Sequence, residues 1–373
     1  MKKLVVISSA PLVYIEEQWF LYGPYEKEMQ LWAKYANEIQ FCCPVWKDDK
    51  KLLITKVSFP VLPVIELKEF DVLTLRNAFS AIPSIFQNLG TIYKAMQKAD
   101  HIHLRCPGNI ALLACFVQIL FPNKPKTAKY AGNWDPKSKQ PLSYRLQKWI
   151  LSNTFLTKNM QVLVYGEWPN QTQNIKPFFT ATYAEKDKQE LTIRSLDAVI
   201  RFLFVGTLAP GKQPLYAIQL VEELHSLGKN VVLELYGEGA LREELESYIQ
   251  ENQLQEIVYL KGNQTKESVE KAYQESHFLI LPSKSEGWPK VVAEAMFWGC
   301  VPLVTPVSCV PYMVDFGNRG VLLQMNLEED SEQIKKLLQN DFAYLEMSKN
   351  GIKWSQHFTT DLFEKEIQKL LST

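Results

Sequence analysis

The sequence predicts an α/β protein of two doubly wound domains, each a parallel sheet crossed by helices, and three observations point to it. The chain has 373 residues, enough for two domains at roughly 100–200 residues each. Short β-branched runs alternate with longer helical patterns through both halves, as parallel strands joined by crossover helices require. Several runs are followed by segments carrying Gly, Lys or Glu, on the side of an open parallel sheet where ligands bind. Apolar residues make up 46% and charged residues 22%, a globular balance that excludes disordered and fibrous classes.

The predicted strands of the first half are residues 4–7, 39–43, 101–104 and 161–164. Those of the second are 201–205, 231–235, 257–260, 278–281 and 301–304. Helices are expected over 26–36, 291–298, 332–347 and 360–371. The last carries Phe363, Ile367, Leu370 and Leu371 at helical spacing and is expected to return to the first domain. Residues 180–197, with the polar run 185–190, read as an exposed connection. The expected division is therefore 1–196, 197–355 and a returning helix over 356–373.

The net charge is zero but divided. Residues 1–196 hold 25 Lys and Arg against 16 Asp and Glu, and the remainder 16 against 25, giving +9 and −9. Such asymmetry suggests that the first half meets a membrane or a polyanion. The six cysteines form no CxxC pair, which fits reduced thiols in the cytoplasm. The apolar run 4–7 is shorter than the ~7–15 residues of a signal peptide core. The longest apolar run, 110–121, is about half the ~20 residues needed to span a bilayer. A cytoplasmic protein is expected, in peripheral contact at most with the inner face of the membrane.

Four segments of the second half carry chemistry. Ser283 to Glu294 follows a predicted strand; Pro289 suits a helix start, so Glu286, Gly287 and Trp288 lie where backbone N–H groups and a helix N-terminus favour an anion. Glu286 suits sugar hydroxyls and Glu294 a ribose; a capping acid and a solvated helix Glu are the plain alternatives. Phe204 to Lys212 is a strand end with Gly206, Thr207 and a lysine suited to a diphosphate, or an ordinary loop; it lacks Walker A spacing. Leu235 to Arg242 places Gly237 and Gly239 in a strand-to-helix turn, with Arg242 where a dinucleotide fingerprint needs its third Gly. Leu260, Gly262 and Asn263 end another strand, offering backbone groups to a nucleobase or merely turning the chain.

In this order and spacing these segments resemble the retaining, nucleotide-sugar-dependent glycosyltransferases of family 4, the group 1 transferases. Their GT-B architecture is two facing Rossmann-like domains with a cleft between them. The resemblance covers 201–323 well and the rest loosely. Glu286 and Glu294 match the family's E-x7-E pattern, which implies that the first holds the donor sugar and the second the ribose. The resemblance further implies that Lys212 meets the donor diphosphate, so that Glu286 and Lys212 carry the catalytic role. Gly206, Gly237, Gly239 and the strand end at Leu260, Gly262 and Asn263 correspond to the donor-binding turns. A front-face reaction, in which the donor phosphate takes the acceptor proton, is proposed for the family. No DxD-like cluster stands at a strand end, and the fold generally needs no metal, so neither a metal nor any cofactor beyond the donor is expected.

Two departures stand out. Thr207 replaces the Arg that many members carry after the loop glycine, leaving Lys290 or Arg242 as possible helpers of Lys212. In the first half the family often has a His after a strand, where this chain has Gly132, Asn133, Trp134 and Asp135. Asn133 or Asp135 stands in for it, or both are turn residues before Pro136. Gly23 and Arg105 are further acceptor-side candidates, while His101 and His103 lack a third metal ligand and read as structural. Residues 124–148 hold seven basic residues against one acid, with Tyr130, Trp134, Tyr144 and Trp149 nearby. They form either an anionic-membrane contact or a solvated face over core aromatics. The expected activity is hexosyl transfer to a glycan or lipid-linked acceptor in bacterial-type cell-surface polysaccharide synthesis. A sugar-nucleotide epimerase, or a non-catalytic nucleotide-sugar binder on the same fold, is the alternative; no motif favours nucleic acid.

Overall fold

The computed structural model describes residues 2–50, 52–72 and 74–372. The chain forms two compact units, one of Met1–Phe178 with Phe363–Thr373 and one of Phe179–Leu362.

The first unit is built on a seven-stranded parallel sheet. Its order is Ile175–Phe178, Met160–Tyr165, Lys126–Tyr130, His101–Cys106, Lys3–Ser8, Glu38–Cys43, Ile65–Glu66. Strand order therefore reverses between Lys3–Ser8 and His101–Cys106, the arrangement that opens a crevice in doubly wound sheets. Lys126–Tyr130 is absent from the sequence prediction because its lysines disguise it. All five residues are buried, with Lys126 donating to the carbonyl of Phe121 at 2.9 Å and Lys129 to Glu28 at 2.8 Å.

A small mixed sheet of Val45–Trp46, Leu12–Ile15, Gln18–Tyr22 and Ile54–Lys56 branches off after the first strand. Its presence moves the first helix to Gly23–Ala33, earlier than expected. The final helix, Thr360–Ser372, buries Phe363, Ile367, Leu370 and Leu371. Phe363 packs 5.2 Å from the Phe178 ring, and Glu364 pairs with Lys34 at 2.7 Å.

The second unit holds a six-stranded parallel sheet in the order Val258–Gly262, Val231–Tyr236, Ile200–Val205, Phe278–Leu281, Val301–Val304, Val321–Leu322. Its reversal lies between Ile200–Val205 and Phe278–Leu281. The division falls after Phe178 rather than at 196/197, because 179–197 carries residues that pack on the second unit. Tyr183 is buried against the rings of Phe297 and Trp298 at 4.5 and 5.4 Å, and Arg194 donates to the carbonyls of Gln274 and Trp298. The helix expected over 332–347 is two helices, Leu327–Leu337 and Asp341–Ser355. Asn340 separates them by capping the second, its side chain accepting from the Ala343 N–H at 3.1 Å. Among the described residues no helix is long and apolar enough to cross a membrane.

Candidate functional site

The second unit's reversal point is where the predicted segments meet. After the strand Ile200–Val205 the chain passes through Gly206 to Lys212 and enters the helix Pro214–Ser226. After Phe278–Leu281 it passes through Ser283 to Pro289 and enters Lys290–Phe297. The two connections are tied together. The Lys284 N–H donates to the Gly211 carbonyl at 2.9 Å, and the Gln213 side chain to the Pro282 carbonyl at 2.6 Å. Two helix N-termini thus start beside the reversal point, each favouring negative charge through its free N–H groups.

Across this junction Lys212 forms an ion pair with Glu286. The Glu286 side chain is 9% exposed and that of Lys212 31%. The pair unites the two residues expected to carry the chemistry. Below it the loop is held from the other side: Thr305 donates to the Ser283 carbonyl at 2.5 Å, and the Cys309 thiol to the Gly287 carbonyl at 3.0 Å. Burial pushes that thiol up to about 12, so it remains a protonated donor at neutral pH. Among the described residues, the buried Ser283 hydroxyl has no hydrogen-bond partner.

Gly206, Thr207, Tyr236, Gly237 and Asn263 line a cavity of about 220 Å³ over the carboxyl ends of three adjacent strands. The glycines of this wall serve backbone packing. Gly237 has φ +142°, and a Cβ there would lie 2.0 Å from the Gly206 carbonyl oxygen; one on Gly239 would lie 2.3 Å from that of Leu208. Only glycine lets these loops touch. Gly262 accepts from the Gly237 N–H at 2.9 Å, extending the same wall.

Other predicted residues sit elsewhere. Leu260 packs against the hydrophobic core and does not line this cavity. Glu294 accepts from Thr182 at 2.6 Å and from Tyr273 at 3.1 Å; a carboxylate has about four lone-pair sites, so these bonds leave acceptor capacity. Burial first, then the Glu294 charge, raises the Tyr273 pKa and keeps the phenol a donor. Trp288 stacks 6.0 Å from Trp354, and Pro289 is the residue before the helix rather than within its first turn. Arg242 is held by Glu238 at 2.5 Å and Glu246 at 2.8 Å. Gln213, which ties the two connections together, has a left-handed backbone, φ +50° and ψ +50°, immediately before Pro214, a conformation that few non-glycine residues adopt.

In the first unit, Gly23 is buried at a helix start, not in an open loop. Its N–H donates to Leu53 at 2.9 Å, and a Cβ would lie 2.9 Å from the Thr55 hydroxyl. Arg105 stacks 3.9 Å over the Tyr25 ring and lies 3.6 Å from Glu28. Burial alone would raise the Glu28 pKa, yet Lys129 and Arg105 together hold it at about 2. Asn133 and Asp135 accept from the N–H groups of Asp135 and Lys137, both at 2.8 Å, which is turn chemistry. His101 and His103 share the Thr127 hydroxyl at 3.0 and 2.8 Å. Burial lowers them to about 4 and about 3. The basic run 124–148 is not one surface: Lys126 and Lys129 are buried, and Lys148 donates to the carbonyls of Trp134 and Asp135. Among the described residues no group of His, Cys, Asp or Glu is arranged to hold a metal.

Residues 185–354 match the family described as glycosyl transferases group 1. An uncharacterized glycosyltransferase of Methanocaldococcus jannaschii is 27% identical over 169 residues, 45% of this chain and 46% of that one. The poly(glycerol-phosphate) alpha-glucosyltransferase of Bacillus subtilis is 22% identical over 185 residues, 49% of this chain and 27% of that one. The chain thus spans less than half the length of these curated relatives. The crystal structure of Anabaena HepE in complex with UDP and glucose aligns over all of both chains, with a TM-score of 0.66 and 14% identity. That likeness is one of fold, and the fold is GT-B.

Proposed function

We propose, from the match of residues 185–354 to the glycosyl transferases of group 1, that this chain is a retaining transferase of that group. It moves a hexosyl group from a nucleoside-diphosphate sugar to a glycan or lipid-linked acceptor in cell-surface polysaccharide synthesis, acting in the cytoplasm. The observation that carries this reading is the Lys212–Glu286 pair at the reversal point of the second sheet, on the connection whose Gly206 and Thr207 line the 220 Å³ cavity. The cavity takes the nucleoside end, with Glu294 a candidate for the ribose. The donor diphosphate displaces Glu286 from Lys212 and freed Glu286 accepts hydrogen bonds from the sugar hydroxyls.

As the bond from the anomeric carbon to the phosphate oxygen breaks, negative charge grows on the leaving diphosphate. Lys212 and the start of the Pro214–Ser226 helix stabilise it without reorganising. The acceptor oxygen bonds to the same face of the anomeric carbon, and its proton passes to the departing phosphate. No metal is assigned to this step.

Thermal-shift measurements with UDP, GDP, ADP and CDP test the donor site. A ligand at 100 times its Kd adds about 2.7 kcal/mol, so one nucleotide is expected to stand out and Lys212→Ala to remove its effect. Transfer of labelled sugar from the matching donor, unaffected by a chelator, tests the reaction. No shift with any nucleotide, or donor turnover without transfer, would overturn the proposal.

A further inference from the structure

One surface of the first unit is unusual for a protein in water. The helix Leu75–Gln97 crosses from the strand Ile65–Glu66 to His101–Cys106, and Asn109–Val117 and Leu142–Ser152 lead on to the next two strands; Asn109–Val117 packs against both of the others. They bury Ile92, Met96, Ile110, Ala114, Ile150 and Leu151 in the core beneath. Their outward faces carry large apolar side chains as well. On the first helix Phe79, Ile82 and Phe86 are 72, 43 and 71% exposed; on the third Leu142, Leu146 and Trp149 are 78, 37 and 58% exposed. Spacings of three and four residues put each trio on one stripe. Large apolar side chains grouped on an exposed helix face mark an interaction surface.

The charges around these residues choose the partner. Segments 75–97, 109–120 and 136–158 contain no Asp or Glu, and seven basic residues: Arg76, Lys94, Lys137, Lys139, Arg145, Lys148 and Lys158. All but Lys148 are exposed. We propose that this helical layer docks on an anionic lipid bilayer, with the aromatic and aliphatic stripes entering the interface and the basic residues meeting headgroup phosphates. Apolar insertion combined with electrostatic attraction is how peripheral helices bind such surfaces. The site shares Lys137, Lys139, Arg145 and Lys148 with the basic run 124–148 but not that run's buried Lys126 and Lys129, and it does not depend on the transferase reading.

The test uses the full chain and sedimentation with vesicles, either equimolar phosphatidylcholine and phosphatidylglycerol or phosphatidylcholine alone. Binding to the anionic vesicles is expected, weakening with salt. Lys137→Gln with Lys139→Gln should lower the partition by about fivefold per charge. Phe86→Ser with Trp149→Ser should lower it at least ~tenfold while thermal unfolding in vesicle-free buffer stays unchanged, since these side chains are exposed. Failure of the wild type to sediment with anionic vesicles would overturn the proposal, as would binding that the apolar substitutions leave intact. A dimer in vesicle-free solution that Phe86→Ser and Trp149→Ser dissociate, without lipid binding, would assign the face to a second copy and equally overturn it.

Discussion

Replacing Lys212 by Ala strands the Glu286 carboxylate, only 9% exposed, without its cation. Breaking a fully buried pair costs about 3–5 kcal/mol, and an exposed pair is worth about 0–1 kcal/mol. With Glu286 near the first limit and Lys212 nearer the second, the expected loss is about 1–3 kcal/mol. For a unit the size of Phe179–Leu362, each kcal/mol moves Tm by about 2–4 °C, a change calorimetry resolves. Glu286→Gln alone should lose only about 0–1 kcal/mol, because Lys212 can turn to water. The double variant should recover most of the Lys212→Ala loss, since no carboxylate is left stranded. The pair also sets donor affinity in the proposed function. With Glu286→Gln, the nucleoside diphosphate no longer competes for Lys212 and should bind about fivefold tighter, 1 kcal/mol being roughly that factor, while transfer is lost. Additive single and double variants, or a Lys212→Ala protein as stable as the wild type, would refute the reasoning.

Acid should weaken the fold in a defined window. His101 and His103, held near 4 and 3 by burial against an ordinary 6.5, stay neutral in the folded protein while the unfolded chain takes up protons. Stability therefore falls as pH drops below about 6.5, by at most ~1.4 kcal/mol per unit for each His, and Glu28 extends the loss from 4.5 towards 2; urea midpoints between pH 7.5 and 5 measure the first part. Gly237→Ala should destabilise by at least ~1–3 kcal/mol, because its φ is +142° and the new Cβ meets the Gly206 carbonyl, whereas Gly211→Ala, with open space around it, should be nearly neutral in the same urea titration. Glu28→Gln removes the counter-charge of Lys129, 1% exposed, and of Arg105, and should cost about 3–5 kcal/mol by chemical denaturation.

What could be read in advance follows from how local each signal is. Strands such as Ile200–Val205 and Phe278–Leu281 are apolar runs whose neighbours in the sheet hardly matter, so their pattern alone reveals them. Lys126–Tyr130 is different: its lysines are tolerable in a central strand because Glu28, 101 residues away, reaches Lys129. No local window contains that partner. The polar run near 185–190 hid Tyr183 and Arg194, whose contacts lie about a hundred residues downstream. At the site, Glu286 and Lys212 were legible because each follows a strand end, and strand ends at the reversal point meet. Leu260 shows the limit of the same reasoning. It belongs to a strand flanking the cavity, but its side chain alternates to the core face. For Gly237 and Gly239 the residue type was legible and the reason was not, since a close approach to a ligand and one to another loop demand the same missing Cβ.

The two sheets share a strand order, and therefore each has a reversal point, yet the ion pairs there are held differently. In the first unit Glu28 is clamped by two cations, one of them fully buried, and Arg105 is further fixed by stacking on Tyr25. An incoming anion would have to part Glu28 from two cations at once, one of them Lys129 at 1% exposure, a costly change. In the second unit a single lysine, one third exposed, holds a single glutamate on the connections that lead into two helices. Opening that pair releases a cation already near solvent and a carboxylate that hydroxyl groups can satisfy. In the proposed function that pair is exchanged for a diphosphate and a sugar. One that cannot be exchanged is a strut, and common topology alone would not have separated the two.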